Sequence, residues 1–340
     1  MTTESKSEKE PLPPQPPPYP ETQQEKEAVW ADAYLKWLAG KGSPHTIRGY
    51  HNAWKQLRAF TGKAYWEIDT ADIAEWRWHL EDRGLVQTSI QSYLGAVSSF
   101  FRFACNTYMT RDANGSLKPL HHTNPVRVIH QGYVQPFANA HYLSGEQVRA
   151  FLQAIPQDTV WGLRDYAFFA MLITTGRRSV EVRELRLGDF DVYDELAYYR
   201  WEFKGEERQS ACHIAVWNAI ERWLVASERL EKMDGEDFIF TGFWERKHRS
   251  PRGTVAFRTR RPPLSIKRAH QLVKMYAARA GLDASMVNLP CLRHTAAMLR
   301  KDAGAGMEEL FQMLDRHERW ATRDYFRRIQ GHADVEWVEE

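Results

Sequence analysis

Leu292-Arg293-His294-Thr295 heads a helical pattern, and the chain then runs through Met313-Leu314-Asp315-Arg316-His317 to Ala321-Thr322-Arg323-Asp324-Tyr325. Far upstream, Thr175-Gly176-Arg177-Arg178 closes an apolar run. Arginine suits the oxygens of a bound anion, because its planar fork donates parallel N–H bonds. A tyrosine becomes a nucleophile only when its phenol is helped to lose a proton, since its ordinary pKa is about 10. Two arginine motifs and one late tyrosine therefore frame the reading of the remaining residues.

Around the first arginine motif the pattern predicts a mixed helix and strand domain over 141–328. Ser144 with Gln147 forms a capping-box pattern, followed by Val148, Phe151, Leu152 and Ile155 at helical spacing. Leu163 to Ile173 is apolar nearly all round, which predicts a buried helix. Thr174-Thr175-Gly176 stops it and delivers Arg177 and Arg178 to a turn beside the core. Leu196 to Phe203 reads as a strand, Lys204-Gly205-Glu206-Glu207 as a turn, and His213-Ile214-Ala215-Val216 as part of the return strand. Lys204 is thus expected near a hairpin tip. Asn288 can cap the helix that carries Arg293, with Pro290 in its first turn.

Residues 26–112 read as helical throughout. Trp30, Tyr34, Trp37 and Leu38 share one face; Ser43-Pro44 opens a helix carrying Ile47, Tyr50, Trp54 and Leu57. Thr70 can cap a third helix with Ile73, Trp76 and Leu80. Thr88 can cap a fourth with Ile90, Leu94, Val97, Phe100, Phe101 and Ala104. Four amphipathic helices with short connections make a small helical domain. Residues 113–140, with Asn114-Gly115, Asn124-Pro125 and Pro136, read as a linker, and His121-His122 as an exposed loop pair. Residues 1–25, rich in Pro, Lys, Glu and Gln, are expected to be a disordered tail, and 329–340 form a C-terminal tail.

The net charge of +2 excludes nothing by itself, so any nucleic-acid interface must rest on local clustering. Such a cluster exists. Arg246, Lys247, Arg249, Arg252, Arg258, Arg260, Arg261, Lys267 and Arg268 fall within 246–268, where there is no Asp or Glu. Uncompensated positive charge of this kind suits a phosphate backbone. The three cysteines, Cys105, Cys212 and Cys291, are too far apart for a metal pattern and too few for a disulfide framework, which suits the cytoplasm. No apolar run is long enough to predict a membrane span.

These motifs resemble those of the tyrosine recombinase, or phage integrase, family. Thr175-Gly176-Arg177-Arg178-Ser179-Val180-Glu181 fits the family's T-G-x-R-x-x-E, and Lys204 matches its hairpin lysine, followed by Gly205 and Arg208. Leu292-Arg293-His294-Thr295 fits its H-x-L-R-H-T except that Pro290 replaces the first histidine. Met313-Leu314-Asp315-Arg316 keeps the family's spacing to the tyrosine, but Asp315-Arg316 stands where Gly-His is expected.

The resemblance implies a helical core-binding (SAM-like) domain plus an α+β catalytic domain, mainly α with a small β-sheet. It implies a site-specific recombinase that cuts and rejoins double-stranded DNA through a 3′-phosphotyrosyl bond to Tyr325. Neither metal nor ATP would be needed, and a tetramer on DNA is expected. Arg178, Arg293 and Arg316 would hold the phosphate and Lys204 would protonate the leaving oxygen. Glu181 would orient Arg178, while His294 or His317 would offer an imidazole. Two alternatives remain open: a DNA-binding accessory protein that has lost catalysis, which Pro290 and Arg316 favour, and a topoisomerase that nicks and reseals one strand.

Overall fold

The computed structural model describes residues 15–129, 140–193, 196–203, 205–242, 261–315 and Tyr325. The chain divides into two units, Met1–Gln135 and Pro136–Glu340.

The first unit contains helices α1 (Gln23–Ala39), α2 (Pro44–Thr61), α3 (Thr70–Asp82) and α4 (Gln87–Asn106), then strands β1 (Met109–Arg111) and β2 (Leu117–Pro119). Its core is largely aromatic. Trp30, Trp37, Trp54, Trp76, Phe100 and Phe101 are buried together, and the Trp54 and Phe100 rings meet edge to face at 5.0 Å between centroids. Edge-to-face contact sets the positive ring edge on a negative face, which adds roughly 0.5–1.5 kcal/mol to burial. The predicted cap holds at Ser43, although its side chain makes no capping bond. The caps shift elsewhere. Asp69, not Thr70, caps α3 and accepts from the Asp72 N–H at 3.0 Å, while Val86 precedes α4. Asp69 prevails because aspartate caps better than threonine and its charge complements the helix dipole.

Three expectations for the first unit are corrected. Residues 113–129 are not linker: β1 and β2 pair antiparallel, and Leu120 and Val126 are buried in the aromatic core. His121 is not an exposed loop residue. Its ring packs 5.4 Å from Trp30, and burial pushes its pKa down. The tail is placed from Gln15 onward. The Arg111 N–H donates to Pro17 O at 2.8 Å, and the Tyr19 N–H donates to Arg111 O at 2.7 Å. In an extended chain, alternate residues present their polar groups to one side, so the missing N–H of Pro18 costs nothing there. Thr22 and Glu25 then close a capping box on α1.

The second unit runs α5 (Gly145–Gln153), α6 (Val160–Thr175), α7 (Ser179–Arg183), β3 (Phe190–Tyr193), β4 (Leu196–Phe203) and β5 (Glu206–His213). It continues through α8 (Ile214–Ala226), α9 (Ile266–Arg279), α10 (Leu289–Asp302) and α11 (Met307–Met313). The three strands form one antiparallel sheet in the order β3-β4-β5. Helix α6 is buried along most of its length, and Phe168, Phe169, Met171 and Leu172 are its core residues. The Ser144–Gln147 capping box forms at α5 as predicted. The return strand is corrected: it stops at His213, and Ile214-Ala215-Val216 begin α8. The His213 Nδ1 accepts from the Ala215 N–H at 3.1 Å, so a histidine caps where the alternation suggested a strand. The hairpin is also tighter than expected, since Phe203 pairs with Glu206 and leaves a two-residue connection. No described helix is long and apolar enough to cross a membrane.

Candidate active site

Helix α6 ends at Gly176, whose φ of +64° is left-handed, and its N–H donates to Leu172 O at 3.0 Å. Glycine adopts this conformation without the steric cost that a Cβ brings. The stop turns the chain, so that Arg177 points inward and Arg178 caps α7. Arg178 donates through its backbone N–H to Glu181 Oε2 at 2.7 Å and through Nη1 to Glu181 Oε1 at 2.9 Å. The Glu181 side chain is buried and that of Arg178 is partly exposed. Glu181 therefore fixes both the backbone and the guanidinium of Arg178.

The Asn288 side chain caps α10 by accepting from the Cys291 N–H at 2.9 Å, with Pro290 in the first turn. That cap sets the phase of the helix. Thr295 faces inward, accepting from the Leu143 N–H at 2.8 Å and donating to Cys291 O at 2.9 Å. Arg293 faces the two other motifs. Its Nη1 donates to Gly176 O at 2.6 Å and its Nη2 to Leu314 O at 2.6 Å. A guanidinium has five N–H groups. These two bonds therefore leave Arg293 further donors for an anion while its position is fixed. Burial, with the Arg178 charge adding to it, pushes the Arg293 pKa down to about 10. It still carries its charge at neutral pH.

Tyr325 is 1% exposed and packs with Ala297, Met298, Leu310 and Leu314. Its hydroxyl is hydrogen-bonded to His294 Nδ1, and the two rings lie 5.3 Å apart between centroids. Consecutive residues of α10 thus serve different partners: Arg293 holds the turn beside Arg178, and His294 meets the tyrosine.

Lys204, Arg316 and His317 lie outside the described residues, as do Arg246, Lys247, Arg249, Arg252, Arg258 and Arg260. The ends of the basic stretch are held firmly. Thr241 bridges to Pro263, the Leu264 N–H donates to Phe240 O at 2.7 Å, and Arg164 Nη1 donates to Thr241 O at 3.1 Å. Arg261, Lys267 and Arg268 are exposed, and the last two stand in the first turn of α9. The helix dipole disfavours cations there, so helix stability does not explain them.

Two residues with a part in this geometry were missed as site residues. In the sequence, Arg177 is only the variable position of the first motif, and Asp315 only a departure from the last. Arg177 Nη1 forms a buried ion pair with Asp315 Oδ2, and Arg208 Nη1 donates to Asp315 Oδ1 at 2.9 Å. The available signal was that both positions carry unexpected charges of opposite sign. Among the described residues, no group of three or more His, Cys, Asp or Glu is placed to hold a metal ion.

The phage integrase family model matches residues 141–331, and the phage integrase N-terminal SAM-like domain matches residues 31–107. The tyrosine recombinase XerC of Corynebacterium efficiens is 28% identical over 296 residues, covering 86% of this chain and 83% of that protein. The XerC of Alcanivorax borkumensis is 25% identical over 302 residues, covering 86% and 87%. The fold matches that of the XerH site-specific recombinase in its post-cleavage complex with palindromic difH substrate. The TM-score is 0.65, with 18% identity over 89% of this chain and 80% of that one. With its arginine motifs and tyrosine gathered around the start of α10, the chain belongs to the phage integrase family of tyrosine-type site-specific recombinases.

Proposed function

We propose that the protein cuts and rejoins double-stranded DNA at a specific site through a 3′-phosphotyrosyl intermediate on Tyr325. The observation that carries this reading is the double contact of α10. Arg293 bonds to the carbonyl two residues before Arg178, and the adjacent His294 touches the Tyr325 hydroxyl.

In the reaction, the Tyr325 oxygen attacks a backbone phosphorus and its proton passes to His294, the group already bonded to it. The bond to the 5′ oxygen breaks, and Lys204 supplies the proton that this oxygen needs. Arg178 and Arg293 hold the non-bridging oxygens, with Arg316 as a third donor. Each such donor is worth on the order of 3 kcal/mol in the transition state, because it is fixed before charge develops. One phosphate ester replaces another, so bond energy is conserved without ATP, and a second DNA end reverses the step. The cations of 246–268 lie along the phosphate backbone, and exposed Lys267 and Arg268 support that role. Exchange between two sites calls for several copies of the chain on DNA, and a tetramer is the arrangement proposed.

Covalent trapping tests the reading. Nicked duplexes from DNA flanking the gene are incubated with wild type and with Tyr325→Phe. A denaturant-resistant adduct is expected with wild type only. Burial of Tyr325 favours a second reading, in which the chain binds DNA without cleaving it. Specific binding with no adduct would select that reading.

A further inference from the structure

Asp315 stands where the family pattern has glycine, and its φ of +41° lies in the left-handed region. Side chains are disfavoured there, and Asp and Asn are among the best tolerated. The strain has a counterpart in the contacts of the carboxylate, which is buried with both oxygens engaged. Oδ2 pairs with Arg177 and Oδ1 with Arg208. Arg177 has a 3% exposed side chain and lies 3.9 Å from the Trp201 ring centroid. Its Nη2 donates to Met313 O at 2.8 Å. Three elements meet at this carboxylate: the turn that presents Arg178, the strand β5 that carries Arg208, and the end of α11.

From this geometry we infer that Asp315, through Arg177 and Arg208, is a positioning residue for the nucleophile. The inference rests on Tyr325 being that nucleophile. The carboxylate neutralises a buried guanidinium in a site already carrying Arg178 and Arg293. It also fixes the end of α11, where the adjacent Leu314 packs against Tyr325 and its carbonyl accepts from Arg293. Arg177 and Asp315 are a matched pair: either alone leaves a buried charge poorly compensated, whereas losing both leaves an apolar contact and a relaxed glycine. Their effects on cleavage are therefore strongly non-additive.

The test uses full-length Asp315→Asn, Arg177→Leu and the double variant Arg177→Leu/Asp315→Gly. Single-turnover cleavage is followed on two nicked duplexes, one normal and one with sulfur in place of the 5′ bridging oxygen. A thiolate leaves without being protonated, so the sulfur duplex bypasses the leaving-group proton. Asp315→Asn is expected to cleave both duplexes about 100-fold more slowly, the scale of a misplacement near 1 Å, with DNA affinity retained. Lys204→Ala, the control, regains its rate on sulfur only. The double variant returns to within about tenfold of wild type, because paired removal leaves no buried orphan charge: Arg208 is partly exposed and keeps its pairing with Glu206. The inference is overturned if Asp315→Asn loses folded fraction but keeps its rate. It is equally overturned if sulfur restores that variant, or if the double variant is no better than the singles. If wild type itself forms no Tyr325-dependent adduct, the assignment of the nucleophile fails first, and this outcome is seen without any Asp315 variant.

Discussion

Replacing Gly176 by alanine perturbs two things whose sizes can be separated. The first is the backbone. At φ +64° an added Cβ costs about 1 kcal/mol. The second is packing. The new Cβ would overlap Met313 Cε and stand 3.2 Å from Ala296 Cβ. The Met313 thioether end can swing aside, but Ala296 Cβ has no rotamer to escape into, so relief there requires α10 to shift against α6. Overpacking of this kind costs roughly 1–3 kcal/mol, for a total near 3.

Gly281→Ala is the control. It has a similar φ of +71° and nothing within 4 Å of the new Cβ, so only the backbone cost of about 1 kcal/mol applies. In a unit of this size, 1 kcal/mol shifts Tm by about 2–4 °C. Gly176→Ala should therefore melt about 6–12 °C below wild type, and Gly281→Ala about 2–4 °C below. Cleavage separates them further. Shifting α10 displaces Arg293 and His294, so Gly176→Ala should lose about 100-fold in single-turnover rate while Gly281→Ala loses almost none. Differential scanning calorimetry and covalent trapping read the two effects. If both variants melt together and cleave alike, the packing of α10 against the α6 stop does not hold the site.

Glu181→Gln keeps the shape of the residue but removes the charge that pairs with Arg178. Cleavage should fall about tenfold, with DNA affinity nearly unchanged in a filter-binding assay, since hydrogen bonds to charged groups are worth about 1.5–3 kcal/mol. Alkylation followed by mass spectrometry should label Cys105 before Cys212 at pH 8. Burial raises both thiols but pushes Cys212 to about 11, so its thiolate is scarce until the pH approaches that value. Replacing Arg246, Lys247, Arg249 and Arg252 by alanine should flatten the dependence of log affinity on log salt by about 0.9 for each phosphate no longer neutralised. An unchanged slope would remove the 246–268 stretch from the DNA interface.

Local patterns in the sequence were enough for most of the helices, because a cap and an apolar stripe depend on residues a few positions apart. The Ser144–Gln147 box was read directly, and so was the α6 stop at Gly176. Where short-range signals competed, the sequence misled: His213 capping a helix resembled one more strand residue, and Thr70 looked like the cap that Asp69 provides. The motifs also carried the family and pointed to Arg178, Arg293 and Tyr325 as site residues. What only the tertiary structure decided is how these groups are held. Arg177 and Asp315 are 138 positions apart, and no local rule links a variable motif position to a substituted glycine. Their pairing follows from burial: in a desolvated site each charge requires an opposite one, and only the packed chain determines which residue supplies it.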